Sequence, residues 1–308
     1  MKKISVVVPV YYNEGSLPLV QQDLATLEKA LGERDLELEL IFVNDGSGDN
    51  SLAELLRIKS ERPQTKVVSL SRNFGAVAAS KTGFQFVTGD AFIIVSADLQ
   101  EPIEQVVKMV DEWLAGSKFV VSARAKRGDP PITRFFAWMY YRLLEVMVVK
   151  GYPRGGYDLM LMDKAMLPYM RSSTKSTNPN LYAFWLGFPP TTLYYERRAR
   201  KHGRSRWTFR KKLRFLMDTF SGFSVTPIRA LSGFGAVVAL LSFAYGIAVV
   251  LAAILGDLGV PGFATLAALI SFFSGLILVM LGVIGEYLWR VFDAVNNKPE
   301  SVVDEVYL

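Results

Sequence analysis

The chain has 308 residues, a net charge of +6 at neutral pH and no cysteine, so disulfides and thiolate-bound metals are excluded. Its length exceeds that of one average domain, and its hydrophobic fraction of 51% is high for a soluble protein. The basic residues concentrate between Arg197 and Arg214 without any nucleic-acid-binding motif, so we expect no nucleic-acid partner.

The amino-terminal region alternates apolar strands with helical patterns. Met1-Lys2-Lys3 leads straight into the first strand, which is not the pattern of a signal peptide. Strands are predicted at 4–10, 36–44, 66–71, 91–97 and 119–122, and helices at 16–31, 50–60, 74–87 and 102–114. This alternation is typical of a doubly wound α/β domain with a mainly parallel sheet.

Polar residues follow each of the first four strands. They are Asn13 and Glu14 after the first, Asp45 after the second, Arg72 and Asn73 after the third, and Asp98 and Gln100 after the fourth. The carboxyl ends of parallel strands share one edge, where such sheets bind ligands, although turn chemistry accounts for any one of these residues taken singly. The dinucleotide fingerprint and the P-loop are both missing, which weakens the dehydrogenase and NTPase interpretations.

The end of the fourth strand carries the chemistry of a metal site. Asp98 and Gln100 offer oxygen ligands suited to a hard cation such as Mg²⁺ or Mn²⁺. The alternative is that Asp98 only caps the helix that starts near Pro102.

Two long apolar runs, 231–255 and 263–285, lie near the carboxyl end, and each exceeds the ~20 residues that a helix needs to cross a bilayer. We predict a two-helix transmembrane hairpin rather than a buried hairpin in a soluble core. Lys and Arg occur on its outer flanks and not in its turn, so both termini and the large amino-terminal region are expected in the cytoplasm.

Two further segments are predicted to lie on the membrane surface. Residues 132–149 combine a broad apolar face and several aromatic side chains with a narrow charged stripe, and residues 209–223 are basic first and apolar after. A buried core helix is the alternative for the first segment. The predicted division is a catalytic domain at 1–208 that includes the helix 132–149, a juxtamembrane segment at 209–228, the hairpin at 229–290 and a cytoplasmic tail at 291–308.

Several short motifs together resemble family 2 glycosyltransferases, most closely the branch that uses polyprenyl phosphates. The motifs are Val8-Pro9-Val10-Tyr11-Tyr12-Asn13-Glu14, Val43-Asn44-Asp45-Gly46-Ser47, Leu70-Ser71-Arg72-Asn73-Phe74-Gly75, Ala97-Asp98-Leu99-Gln100, Gly155-Gly156-Tyr157-Asp158, Gly203-Arg204-Ser205-Arg206-Trp207 and Gly285-Glu286-Tyr287-Leu288. The resemblance implies a GT-A fold and an inverting transfer of one sugar, with UDP-glucose as the expected donor, to a polyprenyl phosphate. The oligomeric state stays open.

The resemblance also implies roles for individual residues. The nucleotide sugar would contact Pro9, Tyr11, Asn13, Glu14, Asp45, Arg72, Asp98, Arg200 and Arg206. Asp98 and Gln100 would hold Mg²⁺ or Mn²⁺ against the diphosphate. Relatives usually carry an aspartate at the position of Ser96, and a hydroxyl is a weaker ligand, so we expect looser metal binding here.

Asp158 matches the position of the family's candidate base, and with Asp98 it is our candidate catalytic residue. The acceptor phosphate has a second pKa of about 6 and needs little help to ionise, so Asp158 could instead orient a substrate or be a turn residue. Arg124 and Arg134 are the candidates for binding the acceptor phosphate, because the planar guanidinium suits phosphate oxygens.

Two alternatives remain at this point. A processive polysaccharide synthase would carry Gln-x-x-Arg-Trp, and here Gly203 stands at the glutamine position before Arg206-Trp207. A membrane-anchored nucleotide-sugar binding protein without catalysis is kept open by Ser96.

Overall fold

The computed structural model describes residues 1–97, 101–124, 138–145, 149, 152–153, 156–175, 177–195, 226–255, 262–296 and 298–308. The chain divides into two compact units. The first comprises Met1–Trp207 and Lys298–Leu308, and the second comprises Thr208–Asn297.

The first unit is built on an eight-stranded mixed sheet. Its strands are β1 (Lys2–Val10), β2 (Leu36–Asn44), β3 (Lys66–Leu70), β4 (Ala91–Ile94), β5 (Phe119–Arg124), β6 (Leu159–Asp163), β7 (Pro190–Tyr195) and β8 (Val303–Tyr307). Their order is β7-β5-β6-β4-β1-β2-β3-β8. The strands β1 to β4 pair in parallel with one another, β6 is antiparallel to β4 and β5, and β8 is antiparallel to β3. The five predicted strands are confirmed, and β4 ends earlier than predicted.

Helices cover both faces of this sheet. They are α1 (Leu17–Gly32), α2 (Ser51–Glu61), α3 (Ala76–Gln85), α4 (Ile103–Leu114), α5 (138–145), α6 (Leu167–Arg171) and α7 (Pro179–Trp185). The four helices predicted before residue 115 are confirmed, with boundaries that differ by one or two residues. In α1, for example, Leu17, Val20, Leu24, Leu27 and Leu31 recur every three or four residues and are all buried.

Alternating side chains of the central strands pack into two separate cores, one on each face of the sheet. In β1, Val6 and Val8 are buried in the core shared with α1, α2 and α4, while Val7 is buried in the core shared with α3, α6 and α7. Burying one such side chain stabilises the fold by about 1.5–3 kcal/mol. The doubly wound arrangement follows from this two-sided burial, because a strand with both faces buried needs helices on each side.

The predicted surface helix at 132–149 falls partly outside the described residues. Its described part is α5, in which Trp138, Met139 and Leu143 are exposed while Leu144 is buried. The ring of Tyr141 stacks on that of Tyr152 at 6.2 Å between centroids. Membrane-surface placement of 132–149 stays a prediction, and the segment 209–223 lies outside the described residues.

The second unit contains two long helices, α8 (Thr226–Ile254) and α9 (Phe263–Val295). Within the described residues, one segment is long and apolar enough to cross a membrane: Phe272–Val295, with a mean hydropathy of 1.8. A shorter apolar stretch covers Ile228–Val238. The candidate span begins and ends further along the chain than the predicted run 263–285, and the prediction of two spans is not established by these features.

The tail that follows α9 returns to the sheet of the first unit. β8 pairs with the outer edge of β3, and the backbone N–H of Ser71 donates to the carbonyl of Val302 at 3.0 Å. The ammonium of Lys81 donates to both carboxylate oxygens of Glu300 at 3.0 and 3.1 Å. This strand was not predicted from the sequence, which indicated only a tail at 291–308.

Candidate functional site

Sheet topology gathers the candidate residues at one edge. Successive strands run outward from β1 through β2 to β3, and the chain then returns to place β4 on the other side of β1. Such a reversal opens a crevice at the carboxyl ends of the two strands concerned, where ligands bind in open α/β sheets. The Ser16 hydroxyl donates to the carbonyl of Ala97 at 2.8 Å and ties the segment after β1 to the segment after β4.

The segment after β1 is ordered by polar contacts with the segment after β2. Pro9 is half-buried within β1, and Tyr11 beyond it is exposed. The amide oxygen of Asn13 accepts from the backbone N–H of Tyr11 at 2.9 Å. The carboxylate of Glu14 accepts from the backbone N–H of Asn50 at 2.9 Å. The contact between Glu14 and Asn50 holds this segment, which carries the predicted nucleotide-binding residues Tyr11, Asn13 and Glu14, beside the amino-terminal end of α2.

Asp45 is 2% exposed and organises the segment after β3. Its carboxylate accepts from the backbone N–H groups of Phe74 at 2.7 Å and Gly75 at 2.9 Å, and from the side-chain amide of Asn73 at 3.0 Å. Burial raises the pKa of Asp45, and these bonds with the nearby charge of Arg72 offset only part of the rise. Both carboxylate oxygens of Asp45, a residue predicted to bind the nucleotide, thus accept hydrogen bonds from the chain itself.

Arg72 is exposed at the same edge, with its guanidinium 4.0 Å from the ring centroid of Phe74. Gly46 adopts a positive φ of 61°, and a Cβ there would clash with the backbone of Arg72. Only glycine therefore allows the segments after β2 and β3 to approach this closely. The approach places the guanidinium of Arg72 at this edge of the sheet, on the β3 side of the crevice.

A second cluster lies on the opposite side of the crevice, at the ends of β5, β6 and β7. Nε and Nη2 of Arg124 donate to the two carboxylate oxygens of Asp158 at 2.7 and 2.8 Å. The hydroxyl of Tyr195 donates to the same carboxylate at 2.9 Å. Because β6 is antiparallel to its neighbours, Asp158 at its beginning meets Arg124 at the end of β5. The structure therefore joins two residues predicted for separate roles.

Burial and charge both change the pKa values of this cluster. Burial lowers the pKa of Arg124, but the hydrogen bond and charge of Asp158 raise it above its usual value, with smaller contributions from Tyr195 and Glu101. Burial raises the pKa of Tyr195, and the negative charges of Asp158 and Glu101 raise it further. At neutral pH the cluster therefore holds a charged guanidinium and a neutral phenol.

Glu101 and Tyr195 are functional candidates that the sequence did not indicate. Glu101 is 6% exposed, and one of its carboxylate oxygens accepts from the Ser96 hydroxyl at 2.6 Å. A signal for Glu101 was its place in the stretch Asp98-Leu99-Gln100-Glu101, whereas Tyr195 only ends an ordinary strand pattern.

Five of the predicted site residues lie outside the described residues: Asp98, Gln100, Arg134, Arg200 and Arg206. Among the residues that the structure describes, no group of three or more His, Asp or Glu side chains could hold a metal ion. The described donors that flank 98–100 are the hydroxyl of Ser96 and the carboxylate of Glu101, both hard oxygen ligands. This donor set fits Mg²⁺ or Mn²⁺ and does not suit a soft metal.

Comparison with known proteins gives the chain a family context. Residues 5–176 match the model of glycosyl transferase family 2. The bactoprenol glucosyl transferase of Shigella phage SfX is 28% identical over 306 residues, which cover 98% of each chain. An undecaprenyl-phosphate 4-deoxy-4-formamido-L-arabinose transferase from Klebsiella pneumoniae is 32% identical over 260 residues, or 82% of this chain and 76% of the relative.

A solved structure matches the fold across most of the chain. It is a mannosyltransferase from Pyrobaculum calidifontis in complex with GDP-Man and Mn²⁺, with a TM-score of 0.51 and 18% identity. The match covers 96% of this chain and 87% of that chain. At this identity the similarity concerns the fold, and it supports the predicted GT-A-type architecture.

Proposed function

Because the chain belongs to glycosyl transferase family 2, we propose that it transfers a single sugar from a nucleotide diphosphate sugar to a polyprenyl phosphate at the cytoplasmic face of a membrane. The observation that carries this proposal is the pairing of Arg124 with Asp158 and Tyr195 across the crevice from Asp45 and Arg72. One side of the crevice suits a nucleotide, and the other presents an oriented cation.

The donor side would bind the nucleotide through residues after β1, β2 and β3. Exposed Tyr11 offers an aromatic surface to the base, and the segment that includes Asn13 and Glu14 lies beside it. Arg72 offers positive charge to the diphosphate. Asp45 acts indirectly, since its carboxylate fixes the backbone around Phe74 and Gly75. A divalent ion held by Asp98 and Gln100 would neutralise charge on the leaving diphosphate.

On the acceptor side, a phosphate oxygen of the lipid attacks the anomeric carbon of the sugar. The new carbon–oxygen bond forms as the bond to the nucleotide diphosphate breaks, on the opposite face of the sugar, which inverts the configuration. The acceptor's second pKa of about 6 means that it is mostly ionised at neutral pH. Asp158 would therefore hold the Arg124 guanidinium in place for the phosphate rather than remove a proton.

The lipid acceptor requires that this site lie close to a bilayer. The candidate span Phe272–Val295 and the exposed apolar side chains of α8 support a hairpin that crosses the membrane twice. On α5, exposed Trp138 is typical of a helix at the headgroup layer. The basic run between Arg197 and Arg214 adds attraction to anionic lipids.

The relatives support the carrier lipid more strongly than the sugar. The two relatives named above are transferases of different sugars, glucose and a formamido-arabinose. Both names include a polyprenyl carrier lipid. UDP-glucose is accordingly the first donor to test in a panel of nucleotide sugars.

The test uses purified full-length protein, radiolabelled donors, polyprenyl phosphate and Mn²⁺. The expected product is a labelled lipid that partitions into organic solvent and forms only when the carrier bears its phosphate. Unphosphorylated polyprenol is the matched control. No labelled lipid with any donor would refute the proposal, and a long water-soluble polymer would indicate a processive synthase instead.

A further inference from the structure

The side chains of Ser96 and Glu101, five positions apart in the chain, are joined by a hydrogen bond. The Ser96 hydroxyl donates to one carboxylate oxygen of Glu101 at 2.6 Å. Ser96 follows β4, and Glu101 lies two positions before the start of α4. The contact brings the carboxylate of Glu101 next to position 96, where the side chain of Ser96 offers only a hydroxyl.

Glu101 is buried at this point rather than solvated. It is 6% exposed, and Ser96 beside it is half-buried. The carboxylate also lies close enough to Arg124 and Tyr195 for its charge to contribute to the raised pKa of each. The hydrogen bond from Ser96 and the nearby charge of Arg124 offset the cost of burying this carboxylate, and a divalent cation beside it would stabilise it further.

Ser96 and Glu101 complement each other in size and charge. An aspartate at position 96 would reach one bond further than serine and set a second carboxylate against that of Glu101. Two carboxylates in such contact repel, and one of them would hold a proton. The pair therefore has room for one carboxylate, and in this chain it comes from position 101.

We propose that Glu101, oriented by Ser96, supplies a carboxylate to the divalent metal ion of this enzyme, in the place that an aspartate at position 96 would otherwise fill. The inference rests on the proposed function, because it concerns the metal that accompanies the nucleotide diphosphate. It assigns Glu101 the task of holding a hard cation, which carboxylate oxygens perform well. The alternative is that the Ser96–Glu101 bond only closes the loop between β4 and α4.

Titration of Mn²⁺ into full-length protein, followed by the electron paramagnetic resonance signal of free Mn²⁺ with and without UDP, separates these possibilities. Glu101→Gln keeps the size and an acceptor for Ser96 and removes the charge, so we expect the Mn²⁺ dissociation constant to rise about tenfold or more. The Ser96→Asp/Glu101→Gln double variant returns one carboxylate to the pair and should restore the constant to within about threefold. Glu112→Gln, the same change near the end of α4, is the control and should leave the constant unchanged.

Each outcome is informative once thermal unfolding confirms that a variant is folded. An unchanged constant in Glu101→Gln, or weakened binding that the double variant fails to restore, would overturn the inference. If Glu101→Gln does not fold, the double variant decides alone, since a folded double variant with weak Mn²⁺ binding contradicts the exchange of carboxylates. Loss of Mn²⁺ binding in Glu101→Gln combined with no lipid product from the unmodified protein would refute the proposed function and leave this inference standing.

Discussion

Replacing Asp158 with Asn distinguishes a carboxylate that orients Arg124 from one that removes a proton. Asp158 receives two hydrogen bonds from Arg124 and one from Tyr195, at 2.7 to 2.9 Å. Asparagine keeps the shape and one accepting oxygen, but it loses the negative charge and cannot accept both bonds of the guanidinium. We expect Arg124 to lose its fixed orientation while the fold is retained.

The magnitude follows from the geometry of the pair. A hydrogen bond to a charged group contributes about 1.5–3 kcal/mol. The side chains of Arg124 and Asp158 are 29% and 19% exposed, so solvent screens part of the interaction and favours the lower half of that range. A loss of about 1.5–2.2 kcal/mol corresponds to roughly a ten- to fortyfold fall in kcat/KM for polyprenyl phosphate. The KM for the nucleotide sugar should not change, because its contacts lie across the crevice.

The assay measures initial rates of labelled lipid formation from pH 5.5 to 8.5 with varied polyprenyl phosphate and saturating donor. A fall in rate below a pH of about 6 belongs to protonation of the acceptor and should persist in the variant. Asp111→Asn is a matched control, because Asp111 forms the same two-bond pair with Arg34, at 2.6 and 3.2 Å, on the exposed surface. A loss greater than about 10⁴-fold in Asp158→Asn, with that acid dependence gone, would show that Asp158 is a general base.

Two further predictions concern stability. Glu300→Gln should leave the Lys81 side chain, which is 7% exposed, without its ionic partner. We expect attachment of the tail to weaken by about 1–3 kcal/mol, which is less than for a fully buried pair because the Glu300 side chain is 21% exposed. Hydrogen exchange of Val303–Tyr307 measures the effect. Burial raises the pKa of Glu39, yet hydrogen bonds from Lys66, Ser5 and Thr88 outweigh burial and lower the pKa below its usual value. The ionised carboxylate therefore stabilises the fold above the unfolded pKa of about 4.3. This stabilisation is lost as the pH falls through the lower pKa of the folded state. The difference in unfolding midpoint between the unmodified protein and Glu39→Gln should therefore be constant from pH 7 to 5 and shrink at lower pH.

Both stability predictions have clear contrary results. Exchange in the tail that stays at the level of the unmodified protein would mean that the backbone pairing of β8 with β3 holds the tail without Lys81. A difference in midpoint that persists unchanged in acid would mean that the charge of Glu39 does not stabilise the fold. Glu305→Gln, an exposed acid in β8, serves as the control for the first measurement.

The sequence predicted β1 to β5 because each strand is apolar enough to be buried on both faces. β8 escaped prediction for the opposite reason, since four of its five residues are exposed and its order comes from backbone pairing with β3. β6 is apolar but short, and it enters the sheet antiparallel to β4, which local periodicity does not reveal. Strands were therefore predictable from the sequence where burial of their side chains defines them. They were not predictable where pairing with a distant strand defines them.

The candidate site shows the same division. Asp45 stood out because it follows a predicted strand, and Asp158 because it matches a motif of the family, but their partners depend on which strand ends become neighbours. Tyr195 meets Asp158 only because β7 pairs with β5, residue for residue up to Arg124 and Tyr195. Glu101 meets Ser96 through a loop closure that spans five positions, for which neither helical nor strand periodicity applies.

The hydrogen bonds of the two central acids bear on the chemistry of the site. Asp45 fixes a backbone segment, and Asp158 fixes a guanidinium, so the oxygens of both carboxylates are engaged in hydrogen bonds with the chain itself. A site that had to deprotonate an alcohol would need a base with an oxygen accessible to that alcohol. A phosphate acceptor arrives already ionised and needs a cation held in a fixed place. The arrangement of Asp158 around Arg124 therefore fits a phosphate acceptor better than a hydroxyl acceptor, and this difference separates transfer to a carrier lipid phosphate from elongation of a polysaccharide.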